Sequence, residues 1–281
     1  MTQEPTTDLA NTGLPSLGPI VTIAVGNSRT QVGSFTDLEC LNPQSFDSSD
    51  AEAISLRVGE IVDSWKGSGH DDPKVVIAGV HPAHGDEIER MVRMNTGVST
   101  SRFGRDFHIP IEHTLTESGE MTVGQDRLLC ALGAFEMLNQ ACVVIDVGTA
   151  VTIDFVDGTG VFHGGAIMPG LSMMLDSLHD STSSLPRVVY SKLDAKSNEP
   201  GKQTDHAIIL GVSYAIRGAV RALTERYAIH YEAYPKTIVT GGDIGLLEDD
   251  ELIDSFVPDL QLRGIRNACA KLIALDDEDI E

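Results

Sequence analysis

"VVIDVGTAVTIDFVDGTGVFHGGAIMPG", residues Val143 to Gly170, carries three short apolar runs separated by small turn residues. Runs of this length, rich in Val and Ile and bounded by glycine, predict three β-strands joined by tight turns. A plain hairpin needs no carboxylate at the end of its first strand, yet Asp146 stands two residues before Gly148, and Thr149 and Thr152 follow. A glycine turn whose backbone N–H groups point outward forms a nest for anions, and its small residues let phosphate oxygens come close. A carboxylate beside such a turn can hold a cation next to bound phosphates.

A similar pattern stands near the start of the chain. "IVTIAVGNSRTQVGSF", Ile20 to Phe35, predicts a hairpin turning at Gly26-Asn27. Set side by side, "IAVGNSRTQVGSF" and "IDVGTAVTIDFVD" both read strand, small-residue turn, strand, the weak internal symmetry of a duplicated domain. A third glycine pair follows a strand at "VTGGD", Val239 to Asp243. Between these lie a predicted helix from Ala51 to Gly67, a buried strand from Pro73 to Pro82, and a helix over "GDEIERMVRMN". A helix from Gly124 to Gln140 and a long one from Thr204 to His230 complete the set. The long helix gathers Ala207, Gly211, Ala215, Gly218, Ala219 and Ala222 on one face, fit for close packing against the core or against a second copy. Residues 1–19 read as a disordered arm and residues 276–281 as a solvated acidic tail.

Composition narrows the function. At 281 residues and 41% hydrophobic, the chain is long enough for about two α/β domains. It has no run of eighteen apolar residues and no basic, apolar leader, so a cytoplasmic protein with no membrane partner is expected. A net charge of −22 disfavours nucleic acid as a partner. The same charge repels a nucleotide, so any phosphate site must rest on backbone N–H groups and cations rather than on a lysine cluster. Cys40, Cys130, Cys142 and Cys269 have no metal-ligand spacing and read as buried free thiols.

Two phosphate-type hairpins, a third glycine pair and a duplicated βββαβα-like order make the pattern of the actin-like ATPase and sugar-kinase fold. The expected fold class is therefore α/β, with two ribonuclease H-like domains, residues 20–123 and 124–275, and ATP in the cleft between them.

The stretches "VGNSR", "AGVHP", "GQDR", "DVGTAVTIDFVD", "GGAIMPGL", "STSSLP", "TDHAIILG" and "VTGGD" occur in that order from about Ile20 to about Leu275. In that succession the chain resembles the type III pantothenate kinases, which phosphorylate pantothenate in the first committed step of coenzyme A synthesis. The resemblance implies that Asp126 is the general base toward the primary hydroxyl of pantothenate. It also implies that Gly124, Gln125, Asp126 and Arg127 line the pantothenate pocket, with Thr204 contacting the same substrate. Ala24, Val25, Gly26, Asn27, Ser28, Arg29, Thr30 and Gln31 would correspond to the first phosphate hairpin, and Thr149 would touch ATP. Asp146 would sit at a potassium or ammonium ion, magnesium would accompany ATP, and the enzyme would be a homodimer. These roles suit phosphoryl transfer, which needs positioning, charge neutralisation and a carboxylate to take the proton. Asp126 at a helix start is held as an anion by the dipole, and Arg127 can pair with pantothenate's carboxylate.

The chain departs from the family at two places. The first hairpin of the family reads DxGNT, whereas Ala24 and Ser28 stand here, and alanine binds no metal. Before "GQDR" the family carries a Tyr and an Asn-Pro, replaced here by "ESGEMTV", Glu117 to Val123. A non-catalytic or regulatory homologue is therefore the alternative to an active kinase, and a different acceptor on the same fold is a third reading.

Overall fold

The computed structural model describes residues 17–66, 73–193 and 199–278. Strand β1 (Ile20–Val25) is apolar at all but one position and buried throughout, as a strand covered on both faces must be. It pairs antiparallel with β2 (Arg29–Phe35) and parallel with β4 (Lys74–Gly79). With β3 (Cys40–Asp47) and β5 (Thr100–Arg102) the sheet order is β3-β2-β1-β4-β5. The second sheet repeats the plan. Strand β6 (Cys142–Val147) pairs antiparallel with β7 (Ala150–Val156) and parallel with β9 (Lys236–Thr240), β8 (Phe162–Pro169) lies beyond β7, and β10 (Ser255–Phe256) lies beyond β9. The expected duplication is therefore present strand for strand, with β6 in the place of β1.

Alternation along β1 assigns its two faces. Val21, Ile23 and Val25 pack with Ile54 and Val58 of α1 (Ala51–Trp65) and with Ile88 and Val92 of α2 (Pro82–Thr96). Ile20 and Ala24 pack on the other face with Leu129 and Leu132 of α4 (Gln125–Leu138) and with Leu262 and Ile265 of a C-terminal helix, α7 (Leu260–Glu278). In the second sheet Val143, Ile145, Val147 and Ile153 pack with Leu175 of α5 (Leu171–Asp180) and with Val212, Ile216 and Val220 of α6 (Thr204–Tyr231).

The chain divides into two units. One comprises the residues to Ile111, Val123–Asn139 and those from Gln261 onward; the other comprises Glu112–Thr122 and Gln140–Leu260. This differs from a single boundary after residue 123. Helix α4 belongs with the first sheet because its apolar face covers β1, and α7 closes over it: a Cβ on Gly264 would lie 2.0 Å from the Leu129 carbonyl oxygen. Lys271 and Glu136 add an ion pair of 2.9 Å between the two helices.

The remaining elements follow the sequence with local shifts, apart from a single helical turn, α3 (Glu117–Glu120), within "ESGEMTV". Helix α2 begins at Pro82, which takes the first helical turn, where its missing N–H costs nothing. Helix α1 is capped by Asp50, whose side chain accepts from the Ala53 N–H at 3.0 Å, and the chain leaves the helix at Lys66; the expected stop at Gly67 lies outside the described residues. The arm to residue 16 and the tail from residue 279 also lie outside them. Cys130 and Cys142 are buried as expected, but Cys40 and Cys269 are only partly so. Burial pushes the Cys142 thiol up to about 12.

Candidate active site

In the first unit the elements of three motifs meet at one end of the sheet. The turn after β1 is closed by the Gly26 N–H donating to the Arg29 carbonyl at 2.9 Å. A Cβ at Gly26 would lie 2.7 Å from that oxygen, so the turn requires glycine. Ser48 fastens the turn from behind: its hydroxyl donates to the Gly26 carbonyl at 3.0 Å, and its N–H donates to the Ser28 carbonyl at 3.1 Å. Of the residues expected to meet the nucleotide, Asn27, Ser28 and Arg29 are exposed and Gly26 and Gln31 half-buried. Ala24, Val25 and Thr30 are buried and support the turn from inside; Thr30 bonds Ser48 at 2.9 Å.

Strand β4 ends against the same turn. The Val80 N–H donates to the Val25 carbonyl at 3.1 Å, and a Cβ on Gly79 would lie 2.2 Å from that oxygen. Gly124 follows, 3.5 Å from Val80 measured from where its Cβ would be. It caps α4 and makes no side-chain cap bond. Asp126 lies in the first turn, with its Oδ1 accepting from the Arg127 N–H at 2.9 Å. A Cβ on Gly124 would stand 2.3 Å from this Oδ1. The glycine of "GQDR" thus makes room for the Asp126 carboxylate, and the helix cap is the glycine and not the aspartate.

In the second unit the other motifs converge in the same manner. Asp146 points to the face opposite Ile145 and Val147, level with Thr152 across the ladder. The Gly148 N–H donates to the Ala150 carbonyl at 3.0 Å and closes the β6–β7 turn, leaving Thr149 exposed at its tip. Gly170 pins that turn: its N–H donates to the Thr149 carbonyl at 3.0 Å, and a Cβ there would lie 2.1 Å from the Gly148 carbonyl oxygen. Helix α5 therefore starts beside Thr149, with its positive dipole end at the turn. Gly241, at φ 100°, brings "VTGGD" in. Its Cβ would lie 2.4 Å from the Val147 carbonyl oxygen and 2.5 Å from Asp146 Oδ1.

Asp243 donates its N–H to the Val147 carbonyl at 2.9 Å. It is half-buried, and burial holds its carboxyl above the usual range. Gly79 and Asp243 stand inside the motifs "AGVHP" and "VTGGD" without a role the sequence assigns them, and Ser48 carries no signal in the sequence. Thr204 stands at the head of α6, beside an apolar cavity of about 730 Å³ that Pro169, Met174 and Leu178 also line.

Hard oxygen donors at Asp146 and the turn carbonyls suit a monovalent cation. Among the described residues no three His, Cys, Asp or Glu come together to hold a metal. A magnesium ion therefore fits only where nucleotide oxygens and water supply most of its shell.

The chain is similar to known proteins in sequence and in fold. Over 193 residues the chain is 33% identical to a type III pantothenate kinase of Syntrophotalea carbinolica, covering 68% of this chain and 74% of that protein. A type III pantothenate kinase of a Sulfurihydrogenibium species is 26% identical over 250 residues, or 88% of this chain and 97% of the other. Among solved structures, a conserved Baf family protein from Campylobacter jejuni superposes with a TM-score of 0.57 at 16% identity, covering 90% of this chain and 99% of that one. The activator of 2-hydroxyisocaproyl-CoA dehydratase from Clostridium difficile, solved with bound ADPNP, gives 0.51 at 14%, covering 93% and 96%. At such identities these likenesses speak for the fold alone, which is that of the actin-like ATPases and sugar kinases. The sequence model of type III pantothenate kinases matches residues 20–226, and the chain belongs to that family.

Proposed function

We propose that the chain transfers the terminal phosphoryl group of ATP to the primary hydroxyl of pantothenate, giving 4'-phosphopantothenate, with Asp126 accepting the hydroxyl proton. The observation that carries this reading is the seat of Asp126: a carboxylate in the first turn of α4, given room by Gly124. The helix dipole favours its ionised form, as a general base requires. Arg127, next in the chain, pairs with the pantothenate carboxylate, and Thr204 contacts the same substrate. The Gly26–Arg29 turn and the Gly148–Thr149 turn hold nucleotide phosphates through backbone N–H groups, as a protein of charge −22 must.

Asp146 holds potassium or ammonium, whose charge offsets that of the phosphates when bound. Magnesium is held chiefly by the nucleotide, because Ala24 supplies no carboxylate. The chain acts as a homodimer in the cytoplasm. Supporting the dimer, Ala207, Gly211, Ala215, Gly218 and Ala222 are exposed along one face of α6, with open space where Cβ atoms on Gly211 and Gly218 would stand. Although α6 has the length and composition of a membrane span, it buries Val212, Ile216 and Val220 in the second core and carries Arg217, Arg221 and Arg226.

An active kinase is favoured over a binding protein because "GQDR", "DVGTA" and "TGGD" stand unaltered, and Ala24 removes one carboxylate from the first hairpin without removing the Asp126 seat. A coupled ADP-release assay tests it: release that requires pantothenate and rises with potassium is expected, and ATP binding without pantothenate-dependent release would defeat it.

A further inference from the structure

We infer that Gln125 is a positioning residue, not a substrate contact: its carboxamide locks the first turn of α4, and with it Asp126, to two rigid seats in the first unit. The inference rests on the kinase reading for what Asp126 does, but the lock itself is read from geometry.

The first seat is the end of β4. Gln125 Oε1 accepts from the Gly79 N–H at 3.4 Å. Gly79 cannot move away from the sheet, because the Val80 N–H is bonded to the Val25 carbonyl and no Cβ fits between Gly79 and that oxygen. The second seat is the turn after β5. Gly104 has φ 82°, and a Cβ there would lie 2.0 Å from Gln125 Nε2, so the nitrogen end of the carboxamide packs against a bare α-carbon.

That turn is itself stiff. The Gly104 N–H donates to the Phe107 carbonyl at 2.8 Å, and Phe103 is fully buried. Arg105 grips the buried Glu89 through two bonds of 2.7 and 3.1 Å, and Asp106 accepts from the Arg102 N–H at 2.8 Å. Such bidentate, charge-assisted contacts hold geometry well. A side chain held at both ends by inflexible backbone fixes the helix turn that carries it. The neighbouring residue of that turn is Asp126, and misplacing a catalytic group by about 1 Å can cost roughly a hundredfold in rate.

The test compares Gln125→Leu, which keeps the bulk and loses both polar ends, with Gln125→Glu, which keeps the acceptor for Gly79. Gln125→Leu is expected to lower kcat by about ten- to a hundredfold, with the KM values for pantothenate and ATP within about twofold of the wild type. Gln125→Glu is expected to recover most of that loss. Gly104→Ala, which strains a turn at φ 82° and pushes a methyl group onto the carboxamide, should lower kcat as well.

Hydrogen exchange supplies a readout independent of turnover. In Gln125→Leu the Gly79 amide and the first turn of α4 should exchange faster, while α1 and β6 stay unchanged. A raised pantothenate KM at unchanged kcat, or unchanged exchange at Gly79, would overturn the inference. If the wild type itself gives no pantothenate-dependent turnover, the kinase reading fails, and the lock is still decided by the exchange at Gly79.

Discussion

Adjacent glycines in "VTGGD" should respond oppositely to one added methyl group. Gly241 has φ 100°, a region open to glycine and strained for any other residue, at a cost of roughly 1–3 kcal/mol. Its new Cβ would also stand 2.4 Å from the Val147 carbonyl oxygen and 2.5 Å from Asp146 Oδ1, inside any permitted contact. Relieving such overpacking costs about 1–3 kcal/mol more. The sum, about 2–6 kcal/mol, is a large share of a domain's usual stability of about 5–15 kcal/mol. Gly242 has nothing within 4 Å of the corresponding position. There alanine is expected to be neutral or to stabilise by about 0.4–1 kcal/mol, through the unfolded chain. Urea unfolding of the two variants decides it: with a slope of about 1–3 kcal/mol per molar, Gly241→Ala should lower the midpoint by roughly 1 M or more. Because the methyl pushes on Asp146, potassium activation should weaken in the same variant. Equal midpoints for Gly241→Ala and Gly242→Ala would refute the reasoning.

Three further outcomes are expected. Burial alone would raise the Asp157 carboxyl, but His163 at 2.8 Å and the Thr159 and Val161 N–H groups outweigh it and hold it well below the usual range. A carboxyl lowered on folding contributes stability above its unfolded value, near pH 4, and loses it as pH falls toward the folded value. Asp157→Asn should thus cost about 1–3 kcal/mol at pH 7 and progressively less below about pH 4, as followed by denaturant midpoints across pH. Ala24→Asp should lower the magnesium needed for half-maximal turnover, yet cost about 1–3 kcal/mol in stability, since residue 24 is 3% exposed in an apolar cluster; superimposable magnesium titrations would contradict the first part. Ala215→Arg on the exposed face of α6 should yield a monomer by light scattering, and an unchanged mass would remove that face from the dimer.

Much of the fold was legible because its signals are local. β1, β4, β6 and β9 are short apolar runs that lead into glycine, at Gly26, Gly79, Gly148 and Gly241, and such runs announce buried strands whatever packs on them. β3 was silent because it is an edge strand, largely exposed, with Pro43 within it and Asn42 at φ 47°, so it has neither alternation nor an apolar run. The unit to which α4 belongs was not legible either, because that choice depends on α7, which reaches Leu129 from far along the chain through the bare backbone of Gly264.

At the site, the motifs name the candidate residues, and the structure adds what each glycine is for. Gly124 makes room for Asp126, Gly170 pins the Thr149 turn, and Gly241 lets Asp146 lie against backbone. No pattern in the sequence distinguishes Gln125 as a lock from Gln125 as a pocket residue, since that depends on a left-handed turn twenty-one residues earlier in the chain, at Gly104.

The central claim is that Asp126 deprotonates pantothenate. Its most direct test is formation of 4'-phosphopantothenate, followed by mass spectrometry under saturating ATP, for the wild type and Asp126→Asn, with ATP affinity measured on both. The account predicts product from the wild type, a loss of about a hundred- to ten-thousandfold in Asp126→Asn, and unchanged ATP affinity. Product formation by Asp126→Asn within a few fold of the wild type would contradict it.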